Sequence, residues 1–271
     1  MIFRNFLCFL ILMSGFGQVF AVDWQKDGER LTFDINWSFL HVGQAELLLK
    51  NNQHDYEIIG RAWTDNTYNS LYTLRDRIHI QGKHFKDQPF LTSSYRAQLN
   101  ENDYRADKLV IFDHQEKVST YTNQHKKSLP TEHDIELYTR DMVSALYALR
   151  KMKQKLKVGD AYTLPVMHYD RRYTYTLRVL EKERIKTLLG EKEVFEIHPT
   201  LNRDDGKNKK RKDKLRLWVT ADGKFVPVKI EIKLKIGSFR AMLRKVQVSE
   251  SESMAPKNLP EIGEINLKRK K

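Results

Sequence analysis

The sequence predicts a mainly β protein: one large curved antiparallel sheet, sandwich-like or a partly closed barrel, with a single helix packed in its core. Three observations carry this. Apolar and polar residues alternate along much of the chain, turn-forming pairs separate the alternating runs, and one segment switches to the helical period.

From Leu31 to Phe39 every odd position is apolar and every even one polar, so one face is buried and the other wet. The same rule holds for Tyr173, Tyr175, Leu177 and Val179, and again for Leu215, Leu217, Val219 and Ala221. It returns in Val228, Ile230, Ile232, Leu234 and Ile236, which face away from Lys229, Glu231, Lys233 and Lys235. Half-buried strands of this kind belong to antiparallel sheets, because parallel sheets usually bury both faces.

The turns agree. Asp222-Gly223 suits a type I′ hairpin, and Gly237-Ser238 a two-residue loop with Gly first. Beyond Leu243 the apolar phase slips to Val246 and Val248, which a bulge near Arg244-Lys245 absorbs. Pro227 belongs at a strand start or a bulge, where its missing N–H does no harm.

The helix is placed near residues 132–152. Met142, Ala145, Leu146 and Leu149 share one stripe, and Asp141 is a plausible N-cap unless the helix starts nearer Thr131. Arg150, Lys151 and Lys153 suit its negative end. It separates two β-rich halves, and no change of composition marks a linker between them.

Residues 1–21 read as a secretory leader. Arg4 precedes an apolar run from Phe6 to Met13, and Val19-Phe20-Ala21 forms a small-x-small end, so cleavage is expected after Ala21. The run is too short for a spanning helix. Cys8, the single cysteine, leaves with the leader, which excludes disulfides and thiolate chemistry from residues 22–271. The expected organisation is a leader, a single β-rich domain over 22–250, and a poorly ordered basic tail over 251–271 ending in Lys268-Arg269-Lys270-Lys271.

Several landmarks, in order and spacing, carry a resemblance. They are Gly28-Glu29-Arg30-Leu31-Thr32-Phe33, Val42-Gly43-Gln44-Ala45, the run from Asp141 to Arg150, Gly159-Asp160, Leu189-Gly190, and Leu217 to Asp222 with Pro227-Val228. Together, over roughly 28–245, the chain resembles the exported bacterial family known as domain of unknown function 3108. The resemblance implies export and a mainly antiparallel β fold, supplies no catalytic set, and marks Tyr147 and Arg150 as family-related positions. Residues 202–213 and the basic tail depart from it.

Chemistry is hard to find. Among nine histidines the nearest strand pair is His79 and His84, with no acidic ligand at a recognised spacing, so no metal and no cofactor are expected. Ser144 lacks a Gly-x-Ser-x-Gly elbow. Asp204-Asp205 sits in a wet turn, unsuited to tuned acid–base work. No catalytic residue is assigned. Arg150 is expected to pack, with a carboxylate such as Asp76 or a ligand phosphate as the alternative partner.

Charge is the sharpest feature. The 271 residues hold 48 Lys+Arg against 35 Asp+Glu, a net +13. Lys209, Lys210, Arg211 and Lys212 stand consecutively between two strands, either as a solvated hairpin tip or as an anion contact. Aromatic interleaving for nucleic acid is missing there. The expectation is a periplasmic, non-enzymatic protein that binds an amphipathic or anionic envelope component: a lipid, lipopolysaccharide or a wall polymer. The competing reading is a structural module that recruits an envelope protein; an unrecognised hydrolase comes third.

Overall fold

In a computed structural model, which describes residues 24–68, 72–85, 87–152, 155–205, 214–233 and 237–248, fourteen strands form a single antiparallel sheet. A short helix α1 (Trp24–Asp27) leads into β1 (Glu29–Trp37), β2 (Leu40–Asn51), β3 (Asp55–Thr64), β4 (Arg75–Phe85) and β5 (Gln88–Glu101). Then come β6 (Tyr104–Asp113), β7 (Val118–Asn123), β8 (Thr131–Asp134), the helix α2 (Met142–Met152) and β9 (Ala161–His168). The chain continues through β10 (Arg171–Thr187), β11 (Gly190–Arg203), β12 (Lys214–Thr220), β13 (Pro227–Lys233) and β14 (Ser238–Val248). The leader with its cleavage point after Ala21, the cations Lys209, Lys210, Arg211 and Lys212, and the tail lie outside the described residues.

Every strand pairs with its neighbours in sequence except at the middle and the edges. The order is β8-β7-β6-β5-β4-β3-β2-β1-β14-β13-β12-β11-β10-β9. The two ends of the meander therefore meet in the centre through β1 and β14, and β8 and β9 are left as edges. The stretch before α2 lies against the β9 edge: Arg140 N–H donates to the Pro165 carbonyl at 3.2 Å, and Met167 N–H to the Arg140 carbonyl at 2.8 Å.

The expected alternation positions the core. Leu31 and Phe33 of β1 are buried, as are Tyr175, Leu177 and Val179 of β10 and Leu217 and Val219 of β12. Neighbouring strands continue these rows in register. Leu31, Leu47, Gly60, Ile78 and Ala97 form one row, and Phe33, Ala45, Ala62 and Asp76 the next.

Helix α2 lies between the two halves. Tyr147 and Ala148 join Leu49, Tyr56 and Phe90 on one side, while Ala145 and Leu149 join Val166, Leu177 and Phe195 on the other. This corrects the single-stripe reading: a helix packed between two half-sheets buries more than one stripe, and Met142 and Leu146 are only partly buried. The helix also starts later than residue 132. Thr131–Asp134 pairs with β7 as an edge strand, and Asp141 is the N-cap. Its carboxylate accepts the N–H groups of Val143 at 2.8 Å and Ser144 at 3.0 Å.

The bulge falls where the phase slip put it. Thr32 pairs with Lys245 and Phe33 with Leu243, so Arg244 is the extra residue. Pro227 opens β13 beside a second irregularity. Two turns differ from expectation. Asp222-Gly223 is not a two-residue hairpin, because the chain stays out of the sheet from Ala221 to Val226 while burying Phe225, and Gly223 alone of the pair has positive φ, at 82°. Ser238 already pairs with Lys233 as the first residue of β14, so Gly237-Ser238 is not itself the two-residue loop. Leu234 and Ile236 lie outside the described residues.

Candidate functional site

Two buried polar networks fix α2, and both are structural in geometry. At its N-terminus the Thr92 hydroxyl donates to the Asp141 carboxylate at 2.7 Å and accepts the Asp141 N–H at 3.0 Å, while the Tyr56 hydroxyl donates to Ser144 Oγ at 2.8 Å. Ser144 is thereby enclosed among partners that hold it as a core hydroxyl. Arg140, fully buried, gives its guanidinium to the carbonyls of Tyr138 and Pro89 and to the Gln88 amide oxygen. Burial pushes its pKa below the ordinary arginine value.

At the other end of α2 lie Tyr147 and Arg150, the two positions that the resemblance marks. Arg150 forms a two-point ion pair with Glu29, at 2.5 and 3.2 Å, and the Tyr147 hydroxyl donates to the same carboxylate at 2.9 Å. The guanidinium stacks 4.2 Å over the Trp24 ring and reaches the Lys224 carbonyl. Burial works against its charge, but Glu29 outweighs it and the guanidinium pKa is raised. Burial, and then Glu29, push the Tyr147 hydroxyl up. The Arg150 partner is thus Glu29 and not Asp76, because the last turn of α2 faces the start of β1 while Asp76 stands at the start of β4.

The histidine pair does not converge. His79 Nε2 bonds Glu57 at 2.7 Å, and His84 bridges the Asn51 side chain and the Phe90 N–H. Asp204 and Asp205 pair with Arg172 and Arg203 in an exposed turn. Glu181, Glu183 and Glu196 bring their carboxylates together, Glu196 itself being buried, but Arg216 pairs with Glu196 at 3.1 Å and the Trp218 indole donates to Glu183 at 2.7 Å.

The feature with binding geometry is a trough of about 260 Å³ on the inner face of the sheet, lined by β1–β4, β13 and β14. Its lining is almost wholly carbon, from Phe33, Ala45, Leu47, Ala62, Ile78, Ile230 and Ala241. Small residues create it. Gly60 permits it as well: a Cβ there would meet Ile78 Cγ1 at 2.6 Å, so any larger residue would displace that wall. A second apolar void of about 40 Å³ lies under α2, beside Leu146 and Arg150. A third hollow, about 540 Å³, is open and polar around Lys50, Glu57 and Lys83, and Lys50 is already paired with Glu57 at 2.8 Å.

Asp76 is the charged side chain that the register turns into the trough, since it continues the row of Phe33, Ala45 and Ala62. One oxygen accepts the Asn100 N–H at 2.9 Å. Burial raises its pKa, the Asn100 bond opposes this, and neighbouring Glu101 adds to the rise, leaving the carboxyl at about 6. Sequence reasoning named Asp76 as a partner for Arg150 and missed the trough and the place of Asp76 in it: Ala45, Gly60, Ala62 and Ala241 form a hollow only once β3, β2, β1 and β14 align.

In a comparison with solved structures, the chain is similar to a β-barrel-like protein of domain of unknown function DUF1849 from Brucella abortus. The two share 10% identity at a TM-score of 0.51, covering 82% of this chain and 98% of that one, which supports the fold alone. A Bacteroides fragilis protein with a YmcC-like fold matches at 11% identity and a TM-score of 0.34, covering 82% and 97%. A Parabacteroides distasonis protein matches at 9% and 0.30, covering 82% and 96%. These two are too distant to carry an argument. No curated protein matches the chain. The model of the family described as "Protein of unknown function (DUF3108)" matches residues 32–244, and the chain belongs to that family.

Proposed function

We propose that this is an exported, periplasmic, non-enzymatic protein that holds the acyl part of an amphipathic envelope component in the inner-face trough. The observation that carries the reading is the trough itself. It is an open, apolar hollow, and its volume of about 260 Å³ approaches the roughly 300–1,000 Å³ of small-molecule sites. Export is supported by the leader-like residues 1–21, and an anionic envelope environment by the net charge of +13.

Native mass spectrometry of protein purified from a membrane-containing lysate tests the proposal. The wild type should retain lipid, and Ala62→Phe, which fills the trough, should retain none while keeping its fold. A wild type without lipid, or an Ala62→Phe variant loaded equally, refutes it. A second reading, a module that recruits an envelope protein, draws on the exposed edge strand β8; a retained polypeptide in the same spectrum supports it.

A further inference from the structure

The hairpin between β1 and β2 turns through Ser38 and Phe39. Ser38 takes a positive φ of 55°, a position for which Asn, Asp or Gly is the usual choice. Nothing in that turn chemistry calls for the residue that follows, yet Phe39 is 87% exposed.

Its neighbours are of the same kind. Trp37 pairs with Leu40 across the hairpin and with Phe239 of β14, and Phe239 pairs with Ile232 of β13. Four adjacent strands thus each place one large apolar side chain in a single row, every one 38–41% exposed. Trp37 and Phe239 stack with centroids 6.4 Å apart, and Ser38 N–H donates to the Ser238 carbonyl at 2.8 Å. Arg240 also donates to the Ser38 carbonyl, so the two tips are tied together.

This row is continuous with the trough. One pair further in come Ile35, Ala241 and Ile230, and the last two line the trough. A cation stands next to it: Lys233 follows Ile232 at the end of β13, its side chain 52% exposed. Large apolar side chains left in water at one end of a soluble fold mark an interaction site.

We propose that this end of the sheet, with Trp37, Phe39, Leu40, Ile232 and Phe239 foremost, seats in the interfacial zone of an anionic phospholipid bilayer. Tryptophan favours that zone and phenylalanine and leucine the acyl boundary beneath it, while an adjacent cation meets the head groups. A protein partner fits less well, because five side chains fall short of the roughly 800 Å² per partner of a stable interface. The inference adds a route to the trough: the seated end is the one toward which the trough's row of residues runs.

Vesicles of phosphatidylethanolamine and phosphatidylglycerol, with or without bromine on the acyl chains, test it with the exported protein. Trp37 fluorescence should be quenched by the brominated lipid, and Trp37→Phe should bind but lose that quenching. Phe39→Asp should weaken binding at least about tenfold, with an unchanged far-ultraviolet spectrum and melting point. No vesicle binding, quenching that survives Trp37→Phe, or equal binding by Phe39→Asp overturns the proposal. Lipid retention in the trough is read separately by native mass spectrometry, so either idea can fail without the other.

Discussion

Removing the Glu29 carboxylate should unseat α2. Glu29 is 1% exposed and holds both Nη atoms of Arg150 together with the Tyr147 hydroxyl. Glu29→Ala leaves a buried guanidinium without its counter-charge, a change that typically costs about 3–5 kcal/mol. At the roughly 2–4 °C per kcal/mol expected of a domain this size, the melting temperature should fall by roughly 6–20 °C. The double variant Glu29→Met with Arg150→Met removes both charges and should lose much less than the two single changes added together. Differential scanning calorimetry of the wild type, Glu29→Met, Arg150→Met and the double variant closes the cycle. Glu29→Ala with an unchanged melting temperature, or a double variant whose loss equals the sum of the singles, would refute the buried-pair argument.

Asp141→Ala should cost about 1–2 kcal/mol for the lost N-cap, and a urea titration that finds no loss would dissociate the cap from stability. His84 accepts the Phe90 N–H through Nδ1, and burial, with Lys151 nearby, lowers its pKa to about 4. The unfolded chain therefore binds the proton first, and stability should drop as pH falls from about 6.5 to about 4; in His84→Asn that drop should shrink. Asp76 has the opposite sign. Its folded pKa of about 6 exceeds the ordinary 3.8, so the folded state binds more protons between those values and stability should fall as pH rises through them. Asp76→Asn should remove this fall and raise the urea midpoint at neutral pH, and a midpoint that drops instead would contradict the placement of the carboxyl.

Much of the sheet was legible because alternation is local. The rows through Leu31 and Phe33, Tyr175 to Val179, and Leu217 and Val219 follow from period two, and the Arg244 bulge from a phase slip that any reading of β14 meets. What was not legible depends on distant partners. Thr131–Asp134 is a strand because β7 offers it an edge, and the 221–226 loop is long because Phe225 turns inward beneath α2. Arg150 and Glu29 lie 121 positions apart, so no spacing rule connects them. The trough is a matter of small volumes in register, and alanine and glycine carry no local signal for a hollow. The Trp37 to Leu40 tip was readable as sequence, but alternation assigned Trp37 and Phe39 to a buried face, and only their exposure shows that the row runs past the end of the core.

The meeting of β1 and β14 at the middle of the sheet has a consequence for assembly. Each half is a run of strands paired with their neighbours in sequence, so either half can zip up as it emerges. The central seam joins Glu29 to Val248 and waits for nearly the whole chain. A polypeptide that emerges from its N-terminus would thus leave one edge of β1 open until β14 arrives, with β2 as its sole neighbour. Such a strand edge invites other chains, which makes the interval between delivery of β1 and delivery of β14 the moment at which this protein most needs a chaperone.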